Sequence, residues 1–349
     1  VVSGQEPELA SPVIVDAMGG DFAPSVVVRG ATQAAREHGI PVALVGRQEA
    51  LLSLLPAGRF AERVTIVHAP EVVGMEEEAV AGVRHRAGSS IVVAMEMLRA
   101  GRGCAVVSAG HSGALVAAAV LYLGRLPGIE RPGIAIPFPT MDGRRVLLID
   151  AGAVVDPRAT WLVQHAVLAC GYVRVAWRVP DPRVGLLSNG EEPGKGNRLV
   201  RETHQLLAQA LGGSFAGNIE PHRIPEGLVD VVVCDGFSGN ILLKTAEGVA
   251  SLVQRTLSEA ARRHWYTRLA GLILRSTLRG ALQRLDYRTY GGAPLLGVNG
   301  LVYIAHGRSD AEAIRQAILA AASAARAGLA TALEQIAPGY HPAGQSTLH

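Results

Sequence analysis

Short runs of β-branched and aliphatic residues recur along the chain, separated by longer stretches in which apolar residues fall three and four apart. The runs are VIVD (13–16), VALVG (42–46), VTIV (64–67), AVVS (105–108), VLLID (146–150), VGLLS (184–188), DVVVC (230–234) and LVYI (301–304). Each is apolar nearly throughout rather than alternating, as strands are when helices cover both faces of a sheet. The pattern therefore predicts a doubly wound α/β architecture with a mostly parallel sheet. In such sheets ligands bind beyond the carboxyl ends of the strands. Here those ends run into small or polar clusters, DAMGGD, SAGHSG, DAGAVVD, SNGEEPGKGN and CDGFSGN. Five loops of that kind predict one composite cleft.

Neither an internal repeat nor a low-complexity linker divides the chain. The stretch LPGIERPGIAIPFPTMDG (126–143) reads either as a crossover between halves or as an irregular loop within one domain. Residues 13–336 are expected to form a single α/β catalytic domain, with a frayed extension at 1–12 and a tail at 337–349. The opening VVSGQEPELASP lacks the basic start and apolar core of a signal peptide.

Composition narrows the picture. With 349 residues, 49% of them hydrophobic and 18% charged, the chain can bury a large core, which excludes general disorder and a stapled miniature scaffold. Its 33 basic and 30 acidic residues leave a net charge of +3, too little for the whole-chain basic field of a nucleic-acid binder. The longest strongly apolar stretch, near 114–124, falls short of the roughly 20 residues that span a bilayer. Cys104, Cys170 and Cys234 are odd in number and sit in apolar surroundings, so they read as reduced thiols of a cytoplasmic protein. Paired Cys/His spacing and GxGxxG are both absent from the sequence, which leaves a metal site and a nicotinamide cofactor without support.

Candidate chemistry lies in the strand-end loops. In Asp16-Ala17-Met18-Gly19-Gly20-Asp21, Gly19 and Gly20 permit close backbone approach and the following helix offers N–H groups to an anion; a tight turn capped by Asp16 is the alternative. In the next loop Gly110 and Gly113 keep the turn small, while Ser108, His111 and Ser112 supply hydrogen bonds suited to phosphate or carboxylate. GEEPGKGN (190–197) is one residue short of a Walker A loop and has Gly196 where Ser or Thr would hold magnesium, so nucleotide hydrolysis is rejected. What remains is Lys195 between two glycines at a helix start, placed either to neutralise an anionic substrate or as a solvated surface lysine. After VVVC, Asn240 is suited to donate an amide hydrogen bond into the cleft, Asp235 to orient a neighbour or a lysine, and Gly239 to keep the turn tight, with Cys234 in the core. His306, at the end of LVYI, is a candidate ligand or acid, or a packed core histidine.

One segment stands apart. Between Arg255 and Leu285 seven arginines face a single acid, Glu259, with an aromatic and aliphatic cluster near the middle. It reads as part of a protruding helical hairpin over 249–285, joined around HWYTRLAG. Arg262, Arg263, Trp265, Tyr266, Arg268, Leu269 and Leu272 would make its contacts. A membrane surface, a dimer interface and ordinary packing all suit that composition.

Taken together, the chain resembles the bacterial phosphate acyltransferase family, the acyl-carrier-protein:phosphate acyltransferases of phospholipid synthesis. The likeness runs in order from about Val13 to about Ala325, through DAMGGD (16–21), SAGHSGAL (108–115), GRLPGIERP (124–132), DAGAVVD (150–156), GEEPGKGN (190–197), GNIE (217–220), VVVCDGFSGNILLKT (231–245), LDYRTYGGAPLLGVNG (285–300) and AHGRSD (305–310). The resemblance implies a Rossmann-like three-layer α/β/α sandwich related to the isocitrate and isopropylmalate dehydrogenases and the phosphotransacetylases. It implies a homodimer that uses acyl carrier protein and inorganic phosphate without a cofactor. It also implies a cytoplasmic protein that touches the inner face of the membrane through the hairpin tip. Lys195 and Asn240 correspond to the family's proposed catalytic lysine and asparagine, with Asp16, Gly19, Gly20, Ser108, Gly110, His111, Ser112, Gly113, Asp235, Gly239 and His306 expected around the substrates.

Some positions depart from the family pattern. His111, Val154 and Ser188 stand where the family usually has asparagine, with Asn189 displaced by one place, and Arg86-Ala87 replaces a pair of lysines before Gly88-Ser89-Ser90. Two other readings stand beside the acyltransferase: a phosphotransacetylase acting on a short acyl-CoA, and a membrane-associated scaffold with weakened catalysis.

Overall fold

The computed structural model describes residues 9–55, 63–74, 76–262 and 291–337. The eight apolar runs all form strands: β1 (Val13–Asp16), β2 (Val42–Gly46), β3 (Val64–His68), β4 (Ala105–Ser108), β6 (Arg145–Ile149), β7 (Val184–Leu187), β9 (Val231–Val233) and β11 (Val302–Ile304). Three further strands join them: β5 (Gly133–Pro139), β8 (Phe215–Ile219) and β10 (Ala293–Leu296). The stretch at 126–143 is thus neither plain crossover nor irregular loop. Its prolines at 137 and 139 sit in a strand whose pairing with β6 runs from Ala135↔Ile149 to Pro139↔Arg145.

Helices connect the strands. They are α1 (Ser25–His38), α2 (Gln48–Leu52), α3 (Ala79–His85), α4 (Ser90–Arg99), α5 (Ser112–Ala118), α6 (Ala159–Ala176), α7 (Arg198–Leu211), α8 (Gly236–Arg262), α9 (Ala311–Arg326) and α10 (Leu329–Ile336). Alternate residues of a strand face opposite sides, and the core follows that period. Val13 and Val15 pack into a cluster with α1, α6, α9 and α10, whereas Ile14 points into a second cluster with α4 and α5. The result is the three-layer α/β/α sandwich, with α1 and α9 in extensive contact on one face. No single helix among the described residues is long and apolar enough to cross a membrane.

The sheet runs in the order β3-β2-β1-β4-β11-β10-β5-β6-β9-β7-β8. From β3 to β11 all neighbours are parallel, as they are from β6 to β8. The three pairings between these blocks, β11 with β10, β10 with β5 and β5 with β6, are antiparallel. Three reversals leave the two parallel blocks pointing in opposite directions, which in an unstaggered sheet would send their carboxyl ends to opposite edges. Register prevents that. Ile304, the last residue of β11, pairs with Ala293; β10 continues to Leu295↔Ile134, and Ile136 pairs with Leu148. Ile304 therefore stands at the level of Leu148, next to the end of β6. The two sets of strand ends overlap across three strand spacings, about 14 Å, and their loops face each other over β10 and β5.

Long helix α8 leaves β9 through Gly236 and Gly239, and both are required by close approach. A Cβ on Gly236 would come 2.6 Å from the carbonyl oxygen of Val154, and one on Gly239 would overlap the carbonyl oxygen of Asp150. The helix continues without interruption into the beginning of the expected hairpin, to Arg262. Of the hairpin residues singled out from sequence, Arg263, Trp265, Tyr266, Arg268, Leu269 and Leu272 lie outside the described residues, as does the side chain of Arg262.

Gly239→Ala should destabilise the protein by about 3 kcal/mol through overpacking. Gly248→Ala, on the same helix but with open space around it, should be neutral or stabilise by up to about 1 kcal/mol. Urea unfolding midpoints of the two variants measure the difference.

Candidate active site

Where the facing loops meet they enclose a cavity of about 500 Å³. Its floor is apolar, built from Ile134 and Ile136 of β5, Ala293 of β10 and Ile304 of β11. Its rim is polar: Asp21, Gly110, Ser112, His306 and Arg308 come from one parallel block, and Gly152, Asn240, Lys244 and Glu247 from the other side. An apolar bed with a few convergent polar groups suits a ligand that carries a hydrocarbon portion beside a charged one.

Asn240, Leu243, Lys244 and Glu247 all line the cavity. Their spacing of i, i+3, i+4 and i+7 places them on one face of α8. Asp235 caps this helix, its Oδ1 accepting the Ser238 N–H at 2.8 Å. Asp235 therefore acts on the helix start rather than on a lysine. Opposite Asn240 stands the loop after β6, held by Asp150. That carboxylate is fully buried and accepts four backbone N–H groups: Ile134 at 3.0 Å, Gly152 at 3.0 Å and Ala153 at 2.9 Å on Oδ1, and Val154 at 2.7 Å on Oδ2. Those bonds knit β5 and the loop into one piece, and the Gly236 N–H, donating to the Val154 carbonyl oxygen at 2.8 Å, ties the start of α8 to it. Val154, which the resemblance sets against an asparagine, contributes its backbone N–H to this network.

On the other side Asp16 plays a similar part. Its Oδ2 accepts from Ser108 Oγ at 2.7 Å and its Oδ1 from the Met18 N–H at 3.1 Å. Ser108 Oγ in turn accepts the Gly110 N–H at 3.1 Å. Burial pushes the Asp16 carboxyl above its ordinary range, against the opposing pull of Ser90, Ser108, Met18 and Gly19. Gly19 packs so closely that a Cβ would lie 2.6 Å from the Gly110 nitrogen, and Gly20 adopts φ of +109°. His111 Nδ1 accepts the Ala114 N–H at 3.0 Å. It thus caps α5 as an asparagine side chain would.

Of the residues expected around the substrates, Gly110, Ser112, Asn240 and His306 line the cavity, and Asp16, Gly19, Gly20, Ser108, His111, Gly113, Asp235 and Gly239 lie outside that lining. Lys195 is exposed on the loop that leaves β7, next to β9 on the same edge of the sheet, and is not part of the cavity wall. That loop is pinned from beneath: Asn189 Oδ1 accepts the Gly196 N–H at 2.9 Å and Asn197 Oδ1 the Val200 N–H at 2.9 Å. Ser188 is buried below it, with an Oγ lacking a partner among the described residues. The three cysteines are not activated. Burial raises the Cys104 and Cys170 thiols to about 11 and pushes Cys234 well above its ordinary range.

Sequence reasoning missed Asp21, Gly152, Lys244, Glu247 and Arg308 in the wall. For Lys244 and Glu247 a signal was present: polar residues one and two turns after Asn240 on a helix otherwise rich in apolar residues.

Comparison with known proteins fits this geometry. The family model described as "Fatty acid synthesis protein" matches residues 12–332. Curated relatives between 44% and 47% identical are named phosphate acyltransferase. One of them, from Pelobacter propionicus, is 46% identical over 319 residues, 91% of this chain and 92% of its own length. Among solved structures, the EutD phosphotransacetylase of Staphylococcus aureus superposes with a TM-score of 0.59 at 18% identity, covering 90% of this chain and 94% of its own. A 4-hydroxythreonine-4-phosphate dehydrogenase from Klebsiella pneumoniae gives 0.54 at 16% identity, covering 90% and 100%. These two likenesses establish the fold, a Rossmann-type α/β/α sandwich.

Asp150→Asn replaces an acceptor by a donor against buried backbone N–H groups and should cost about 2–4 kcal/mol. Denaturant unfolding of the variant beside the parent protein gives the number.

Proposed function

This chain belongs to the fatty acid synthesis protein family, and from that premise we propose that it is a phosphate acyltransferase. It joins inorganic phosphate to a long-chain acyl group carried as a thioester on acyl carrier protein, releasing acyl phosphate and the free carrier for phospholipid synthesis. The observation that carries the reading is a cavity in which an apolar floor adjoins a rim bearing Asn240, Lys244, His306 and Arg308. A phosphate group and the carbonyl end of an acyl chain need that combination in one place.

The chemistry requires little beyond placement. Phosphate near neutral pH is largely the hydrogen phosphate dianion, by analogy with phosphate esters whose second pKa is roughly 6. It is already nucleophilic. A phosphate oxygen attacks the thioester carbonyl carbon, the new C–O bond forms and the C–S bond breaks. The single proton of hydrogen phosphate is the one the departing sulfur takes, so thiol and acyl phosphate dianion account for every atom and charge. Asn240, at the cavity wall, orients the carbonyl and donates to the oxygen that becomes negative. Lys195, on the adjacent loop of the same edge, neutralises phosphate and oxyanion charge as the substrates close over it. One well-aimed donor is worth about 3–4 kcal/mol to such an intermediate, and holding the reactants together supplies several more.

We also infer that the protein works as a homodimer at the inner face of the membrane. In support, α8 carries Phe237, Ile241, Val249, Leu252 and Leu257 exposed to between 47% and 64%, more apolar surface than an isolated helix face ordinarily leaves in water. The arginine-rich segment with Trp265 follows directly in sequence, and its composition suits anionic headgroups.

Phosphate added to the protein and long-chain acyl carrier protein should release carrier thiol; activity with acetyl-CoA alone would instead identify a phosphotransacetylase. Lys195→Ala should lower turnover by about tenfold or more, equivalent to about 1.4 kcal/mol, with its unfolding midpoint unchanged. Trp265→Glu should release the protein from anionic liposomes in a flotation assay and leave turnover in solution intact.

A further inference from the structure

The motif GNIE (217–220) spans the end of β8, the edge strand beside β7, and lies next to the loop that carries Lys195. The pairing of these two strands slips by one residue. Val184 stands opposite Phe215, but Gly185 stands opposite Gly217 and Leu186 opposite Asn218. Ala216 is thus the extra residue of a β-bulge, and Gly217 supports it with a φ of +93°, a conformation glycine adopts without a Cβ penalty. Because side chains alternate along a strand, that one residue moves Asn218 onto the face that Phe215 occupies, where α7 packs. In an unbroken strand it would point the other way.

Asn218 is buried there, and both ends of its amide are used. Nδ2 donates to the carbonyl oxygen of Glu192 at 2.9 Å, and Oδ1 lies 3.0 Å from His204 Nδ1. A carbonyl oxygen only accepts, so the NH2 must face Glu192. The Asn218 oxygen is then turned to His204, whose Nδ1 must carry a proton. The same Glu192 oxygen accepts the Lys195 N–H at 3.0 Å and closes the turn 192–195. His204, packed edge-on against Phe215 with ring centroids 5.0 Å apart, therefore sets the polarity of an amide that holds the Lys195 turn. Arg223, paired with Glu191, and Arg201, whose Nη1 donates to the Gly196 carbonyl oxygen at 2.7 Å, steady its flanks.

We propose that Asn218, oriented by His204, is the positioning residue for Lys195, holding the 192–195 turn so that the ammonium meets the phosphate and the developing oxyanion. The proposal rests on the acyltransferase reading and deepens it. A lysine on a flexible four-carbon stem is aimed mainly by the backbone that carries it, and a displacement of about 1 Å at such a group costs up to about a hundredfold in rate. GNIE then serves the reaction without touching substrate: its glycine turns the strand, and its asparagine fixes the loop.

Asn218→Leu keeps the volume and removes both polar ends. With phosphate and long-chain acyl carrier protein it should lower turnover by about tenfold. In a Lys195→Ala background it should lower turnover no further, because a residue that acts through Lys195 has nothing left to place. Amide exchange over residues 190–197, followed by mass spectrometry, should quicken by about tenfold in the variant, with exchange in β9 as in the parent. Asn218→Asp keeps the shape but sets an oxygen against the Glu192 carbonyl; it should behave alike, and it replaces the leucine variant if that one fails to fold. Undiminished turnover, an equal loss in both backgrounds, or unchanged exchange at 190–197 overturns the proposal and leaves the acyltransferase reading intact. If the parent protein releases no thiol, that reading falls by itself, and the exchange at 190–197 then decides whether Asn218 holds the turn.

Discussion

The stagger between two oppositely directed sheet halves is the constraint on which the rest depends. Loops at strand ends are ordinary in α/β proteins, but here two parallel blocks point in opposite senses, joined through β10 and β5. Only two residue pairs, Leu295↔Ile134 and Leu296↔Gly133, connect those strands. Because that register is so short, the end of β11 stands beside the end of β6 instead of at the far edge. A shift of one residue would turn Ile134 and Leu295 to the opposite face, and the apolar floor of the cavity would go with them.

Backbone hydrogen-bonding groups then convert overlap into a fixed site. Asp150 gathers four N–H groups that a sharp turn would otherwise leave unpaired in the core. Asp16 and Ser108 do the same for the loops of the opposite block. Two buried carboxylates, one on each side, thus hold loop backbone in place while contributing no surface to the cavity wall. The bonds they accept oppose their cost in desolvation, although at Asp16 burial prevails. Gly239 completes the arrangement by letting α8 descend onto the Asp150 backbone, so that Asn240 emerges at the wall.

The chemistry follows from which groups that geometry leaves unsatisfied. Lys244 is paired with a carboxylate and lies beside an imidazole; Glu247 has one oxygen engaged and one without a donor among the described residues. Lys195 lies outside the cavity wall, whereas Lys244 forms part of it.

Much of this was legible in the sequence, and the limits are physical. Continuous β-branched runs announced eight strands, all largely buried except β3 at the sheet edge, and glycine and carboxylate clusters after them marked the loops, because burial on two faces and tight turns each demand particular residue types. Family membership and Asn240 could be read from ordered motifs. Three strands escaped: β5 carries prolines at 137 and 139, β8 contains Gly217, and β10 contains Pro294, so local propensity argued against all of them. Asp16 and Asp235, expected from the sequence around the substrates, accept the backbone N–H groups of Met18 and Ser238, a role that residue type does not distinguish from a substrate contact. Lys244 and Glu247 were visible as letters on a helix. The meeting of Lys244 with His306, 62 residues away along the chain, was decided by register and antiparallel pairing, since nothing local specifies which strand end will face a given helix.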